Sequence, residues 1–469
     1  LTASPDSSAF LKKQNQSKFF LSGVLLALLP AVFTAWVIAR YPVFTLYLDD
    51  WSYVHLTYLL DRGTLSFSDL WATSNDHLIF FPRLIILAIA SLTKWDPRGM
   101  FLFNYLLAAG AWLFVMLMAR RERAALGEKN FLWIPFALGV FVFSLRQVEN
   151  WIWSAEVVFY LPSVCAAFSF FLLSRPDFSW KSFSAALVGA LTASCSFLSG
   201  FLLWPAGLLM IFFSLAENRS RRNKALLLWS FAAAVMTALY AFTYEKPSHH
   251  PALVYEIPAL LRYLVLYLGS PLAHQPETAF ALGLSALFLF PVLMGGLFYF
   301  RPFPARAVAA FSAPGVFAIL NGAVTAVGRA GFGVDQAMES RYTTFSCYLW
   351  ISILLLSVLV SRAFFLRSAS GNKWKIFLQA LPLLVCFAIT FQASRISFLS
   401  LPWIAHHQER VNRAGIEILE SPDADLSLLF ADPSMLRGPI LFLRRKKMNI
   451  FDSKLEVLLR QAVNRGHGF

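Results

Sequence analysis

The sequence predicts an all-α polytopic membrane protein, and three observations predict it. The 469 residues are 58% hydrophobic and only 14% charged, against about 45–50% apolar and about 25% charged in soluble domains. The apolar residues gather in runs of roughly 20, the length that crosses a bilayer as a helix. The 14 Trp and 14 Tyr lie largely near the ends of those runs, as interfacial aromatic belts require. The formal charge of +14 does not imply nucleic acid, because the basic residues sit in short clusters between apolar runs. That pattern follows the positive-inside rule and favours anionic lipid head groups.

Candidate spans fall at 19–40, 99–119, 131–146, 153–173, 182–199, 200–216, 225–244, 278–300, 305–326, 343–361 and 375–394, a bundle of about 11. The first is too long for a signal-peptide core and reads as a retained signal anchor. With residues 1–18 cytoplasmic, the inner segments hold 19 Lys and Arg, including Arg120-Arg121-Glu122-Arg123, and the outer segments before the tail hold about 8. That bias orients the chain. The sequons at Asn15 and Asn218 then fall on the inner side, where they are not used. Cys165, Cys195, Cys347 and Cys386 lie inside apolar spans without paired spacing. They read as small buried hydrophobes rather than metal ligands or disulfides.

The outer segments 41–98, 147–152, 245–277 and 327–342 bring Asp49-Asp50, Asn75-Asp76-His77, Glu149, His249-His250 and Arg341-Tyr342 to one face. An acidic pair at the mouth of a first span is costly beside lipid, which points to function. Residues 78–93 are too short to span and carry Pro82 and Arg83. They read as a helix in the outer interface with Pro82 in its first turn, and 256–270 read similarly. The domain reading is a cytoplasmic N-terminus 1–18, a transmembrane domain 19–394 and a small outer C-terminal segment 395–469. The eleven Lys and Arg of that segment do not forbid an outer location, since long segments cross regardless of charge.

Residues 19–123 resemble the GT-C superfamily of membrane glycosyltransferases, in particular protein O-mannosyltransferases and bacterial lipid A aminoarabinose transferases. The resemblance rests on three features: Asp49-Asp50-Trp51-Ser52-Tyr53-Val54-His55 opening a long loop after the first span, Asn75-Asp76-His77 leading to Pro82-Arg83, and a second span ending in Arg120-Arg121. His77 and Pro82 stand five apart, so the His-Pro-Pro-Leu signature of the mannosyltransferases is absent. Bacterial glycosyltransferases that decorate O-antigen, lipopolysaccharide or other envelope glycans are equally compatible relatives.

The resemblance implies transfer of a sugar from a polyprenyl-phosphate donor to a glycan, lipid or protein acceptor. The active site would face the periplasm or cell exterior of a bacterial inner membrane, and direct displacement would invert the sugar carbon. Such chemistry needs a base, and Asp49 or Asp50 is the candidate, the other capping the helix that starts at Trp51. It also needs cations on the leaving phosphate. The loop from Gly328 to Tyr342 offers Arg329 and Arg341, with Gln336 and Tyr342 beside them, although Arg341 could equally snorkel from the next span. Arg83 is a second phosphate candidate, and His77 reads either as a phosphate or acceptor ligand or as an interfacial histidine. Glu149 and Trp151 are candidate sugar contacts, with an aromatic belt as the alternative for Trp151 and Trp153.

No cofactor is required. A divalent cation, Mg or Mn, is compatible with the acidic pair because some superfamily members use one, whereas His249-His250 with Glu245 makes a poor metal site. The competing readings are a transporter or flippase for lipid-linked oligosaccharides, and a glycan polymerase or ligase. A transporter predicts broken helices in matched halves, and no such symmetry is visible.

Overall fold

A computed structural model describes residues 25–215, 218–245, 250–367, 373–421, 424–430 and 432–465. It is about 81% helical with almost no strand, so the chain is an all-α protein. Seven helices among the described residues are long and apolar enough to cross a membrane: Pro97–Arg121, Ser154–Leu173, Arg219–Thr243, Pro276–Phe300, Ala305–Phe332, Ser340–Leu366 and a stretch within Gln379–Glu420. The other four expected spans fall on shorter helices. These are Leu25–Arg40, Asn130–Val142, Trp180–Ser194 and Leu198–Ser214. The beginning of span 19–40, Asn15 and His249 lie outside the described residues.

Burial separates the core of the bundle from its lipid-facing shell. From Tyr342 to Leu359 every residue is buried, and this helix packs on Ala305–Arg329 and Lys373–Leu399. Ala307, Ala309, Ala310, Ala313 and Ala318 are fully buried along the middle partner; small side chains let helix backbones approach where the hydrophobic effect gives no drive. Outside this layer, Leu227, Phe231, Phe242, Phe288 and Phe387 are each about two-thirds exposed or more. So much open apolar surface on long helices is a lipid contact, not a water contact. All four cysteines are buried and free.

The two ends of the bundle differ in chemistry. At one end Arg306 pairs with Glu122 and donates to the Ser174 carbonyl, while Arg121 donates to Ser174 and the Phe171 carbonyl. The Pro97–Arg121 helix leads away from there for about 37 Å, at 1.5 Å per residue. At its far end gather residues 41–98, the short segment 144–153, the loop after Arg329 and the C-terminal tail.

The tail is knit to the first loop. Asn412 accepts from the Phe44 amide at 2.8 Å and donates to the Pro42 carbonyl at 2.9 Å. Asn449 donates to the Phe44 and Trp95 carbonyls at 3.0 and 2.8 Å. Both asparagines are fully buried. Gly415 lies so close to Thr45 that a Cβ there would come within 2.0 Å of the Thr45 hydroxyl. The short apolar stretch forms the Phe80–Thr93 helix with Pro82 in its first turn, and Ile257–Gly269 forms a second short helix.

Candidate functional site

The acidic pair stands in a turn that the tail holds in place. Leu48 adopts φ of +46°, a left-handed conformation that costs a non-glycine residue roughly 1–2 kcal/mol. The Leu48 amide donates to the Leu429 carbonyl at 2.8 Å, so a tail residue stabilises the strained turn. Asp49 follows at the N-cap position of the Asp50–Asp61 helix, with no side-chain capping bond. Asp50 does not cap that helix either. Its Oδ1 accepts from the Ser154 hydroxyl at 2.7 Å and its Oδ2 from the Tyr47 amide at 3.1 Å.

The two carboxyls therefore differ. Asp50 is 3% exposed, and burial pushes its pKa up to about 7 despite the hydrogen bonds from Ser154 and Tyr47. Asp49 has an open surface, and its carboxylate makes no hydrogen bond or ion pair among the described residues. The protein mass around it nonetheless raises its pKa, with the Arg341 guanidinium acting in the opposite direction.

Arg341 is anchored through its backbone, and its guanidinium is left unpaired. Its amide donates to Glu149 Oε2 at 3.2 Å, and its carbonyl accepts from Asn150 at 2.9 Å. Glu149 Oε2 also accepts from the Ser340 hydroxyl at 2.7 Å. Glu149 thus fastens the Ser340–Tyr342 turn. The guanidinium lies over the Tyr342 ring at 5.7 Å and makes no ion pair among the described residues. Arg146 adds a second fastening, donating to the Ala273 and Met338 carbonyls at 3.1 and 2.6 Å.

Arg329 is engaged instead. It donates to Asp76 Oδ2 at 2.9 Å and to His250 Nε2 at 3.1 Å, while His250 Nδ1 meets Asp76 Oδ1 at 3.2 Å. Because Nε2 accepts, the proton of His250 sits on Nδ1, a neutral tautomer donating to Asp76. The tip of a small hairpin, Thr73–Ser74 paired with His77–Leu78, presents Asp76, and Asn75 supplies the left-handed residue of the turn at φ +49°. This triad locks three separate loops together.

His77 packs on Phe197 with tilted rings whose centroids are 3.7 Å apart, and its Nδ1 is buried without a partner among the described residues. Burial lowers its pKa well below the usual value, and the Arg329 and Arg341 guanidinium groups lower it further.

Around the acidic pair further buried polar atoms lack partners: the indole nitrogens of Trp51 and Trp153, Glu156 Oε2, the Tyr160 hydroxyl, and the side-chain oxygens of Asn104 and Asn150. Buried polar groups are normally satisfied, and a buried water is the partner that suits such atoms.

Other expected contacts are built into the scaffold. Trp151 is 2% exposed, its ring packed among Phe143 and Tyr160 and its N–H on the Ser144 carbonyl at 2.9 Å. It offers no open face to a sugar. Arg83 is buried, donating to the Leu70 carbonyl at 3.0 Å and to that of Ala72, so it straps the first loop. Gln336 is in reach of the Tyr263 hydroxyl at 3.5 Å, and Tyr342 is buried against Tyr267. Both Asp50 oxygens are bound by protein donors, so the acidic pair presents one carboxylate, that of Asp49, without a protein partner among the described residues. Among the described residues no group of three or more His, Cys, Asp or Glu is placed to hold a metal ion. Ser154, the partner of Asp50, had no signal in the sequence, and the Asp76–His250 contact had only the shared outer face of its two segments.

No protein-family model matches this chain, and no curated protein matches it.

Proposed function

We propose that the protein is a GT-C-type membrane glycosyltransferase that takes a sugar from a polyprenyl-phosphate donor. In this reading eleven helices span a bacterial inner membrane, the four shorter ones included. The acidic pair, the Arg341 turn and the tail face the periplasm or cell exterior. The observation that carries the reading is one unengaged carboxylate, Asp49, in the field of one guanidinium without an ion pair among the described residues, Arg341.

The chemistry follows from those two groups. Asp49 accepts the proton of an acceptor hydroxyl as its oxygen attacks the anomeric carbon. The bond from that carbon to the phosphate oxygen breaks, and the electron pair leaves on the polyprenyl phosphate, whose charge Arg341 offsets. One displacement inverts the anomeric configuration. Asp50, held by Ser154 and Tyr47, positions the turn from which Asp49 projects, and Glu149 positions Arg341. His77 is a further contact for phosphate or acceptor oxygens.

The test presents membranes carrying the wild-type chain with labelled sugars on polyprenyl phosphate, on polyprenyl diphosphate and on nucleotides, with envelope glycan as acceptor. Transfer from the monophosphate donors with inversion is expected. Transfer confined to diphosphate donors would favour a polymerase or ligase. Movement of an intact lipid-linked sugar across vesicles, without transfer, would favour a flippase.

A further inference from the structure

A cavity of about 1090 Å³ has neither carboxylate of the acidic pair in its wall. It opens between the end of the Leu25–Arg40 helix, the start of Pro97–Arg121, and the tail helices Leu401–Glu420 and Ser453–Arg465. That volume is at the upper limit of small-molecule sites, which run to about 1,000 Å³. Its wall is mainly apolar, with Ile38, Phe101, Leu102 and Leu401 among the lining residues, and Arg40 and Arg98 also line it.

The polar and apolar parts are ordered by depth. Arg40 ends one helix and Arg98 stands in the first turn of the next. Phe101 and Tyr105 lie one to two turns further along that helix, about 5–10 Å at 1.5 Å per residue. Arginines at helix ends with apolar residues just inside reproduce the head-group and acyl levels of a bilayer leaflet.

The arginines also have donors to spare. Arg40 lies over the Tyr41 ring at 5.2 Å and makes no ion pair or side-chain hydrogen bond among the described residues. Arg98 forks onto Asp96 through Nε and one terminal nitrogen, at 3.0 and 2.6 Å, leaving its other terminal nitrogen unbonded. Glu409, the carboxylate on the lining, is paired with Arg413 at 2.7 Å. The mouth therefore has uncompensated positive charge. A free anion would leave the apolar wall uncovered, and a neutral lipid would leave Arg40 unmatched.

We infer that this cavity binds one anionic glycerophospholipid from the surrounding bilayer, its phosphate at Arg40 and Arg98 and an acyl chain against Phe101 and Leu102. The lipid bridges the first helix, the Pro97–Arg121 helix and the tail. The inference does not rest on the reading of the Asp49 site.

The test uses the full-length chain, purified in detergent and stripped of lipid, with retention of added lipid read by native mass spectrometry. Dioleoyl-phosphatidylglycerol is expected to remain at one per chain. A charge-assisted contact predicts retention at least about tenfold stronger than that of dioleoyl-phosphatidylcholine. Arg40→Gln, at an exposed side chain, should remove most of that preference without changing the melting temperature of the lipid-free protein. Leu102→Trp, which fills the cavity from a position 60% exposed, should lower retention of both lipids. Equal retention of the two phospholipids, indifference to both variants, competition by inorganic phosphate alone, or preference for undecaprenyl phosphate would each overturn the inference.

Discussion

Asp49 and Asp50 are adjacent in sequence and opposite in environment, and their substitutions should separate accordingly. A positioned general base contributes about 10²–10⁴-fold, so Asp49→Asn should lower transfer by that factor with little effect on folding. Asp50→Asn should act mainly on stability and its pH dependence. The raised pKa of about 7 means that the folded chain holds a proton which the unfolded chain has released above its ordinary value of 3.8. Stability contributed by that group is present below about pH 4 and is lost as pH rises toward 7. Thermal denaturation in detergent across that range should show the slope in wild type and a flatter profile in Asp50→Asn. Arg341 holds the Asp49 pKa down, so Arg341→Gln should shift the acid limb of the pH–rate profile to higher pH as well as slowing transfer. A limb that stays in place would separate the two residues. The sequence marked the pair as functional but left the division of labour open, because that depends on Ser154, about a hundred residues away.

At the scale of single helices, glycine positions decide which crossings are possible. Gly269 and Gly283 let the Ile257–Gly269 and Pro276–Phe300 helices touch. A Cβ on Gly283 would lie 1.9 Å from the Val265 carbonyl, and one on Gly269 1.8 Å from that of Ala279. Gly283→Ala should therefore destabilise the protein by about 1–3 kcal/mol. Gly295→Ala, with no atom within 4 Å on the same helix, should be neutral or stabilising by roughly 0.5–1 kcal/mol; melting temperatures in detergent distinguish the two. Hydrophobic run length located the long helices, and Pro82 with Arg83 identified the short helix that opens at Phe80. Run length says nothing of how Arg329 is spent. Arg329 and Arg341, the two arginines of segment 327–342, look alike in sequence, yet the Arg329 partners Asp76 and His250 come from two other loops. Arg329→Gln should loosen those loops, raising hydrogen exchange at residues 73–78, whereas Arg341→Gln should leave that exchange unchanged.

Over the whole molecule, the tail and the first loop behave as one layer at one end of the bundle. Composition marked 395–469 as a separate appendage because its charges resume after the last apolar run. Asn412, Asn449 and Gly415 instead bind it to residues 42–45, and the Leu429 carbonyl holds the turn before Asp49. Removing residues 401–469 should leave a membrane-inserted chain that has lost transfer. Those long-range contacts carry no periodic signature, which is why helices were legible in the sequence and their assembly into a site was not.

The measurement that tests the account most directly compares initial rates of sugar transfer from a polyprenyl-phosphate donor by wild type, Asp49→Asn and Asp50→Asn at matched expression. The account predicts donor-dependent transfer by wild type, a loss of about 10²-fold or more in Asp49→Asn, and substantial activity in Asp50→Asn at a temperature where it remains folded. Robust transfer by Asp49→Asn would contradict it.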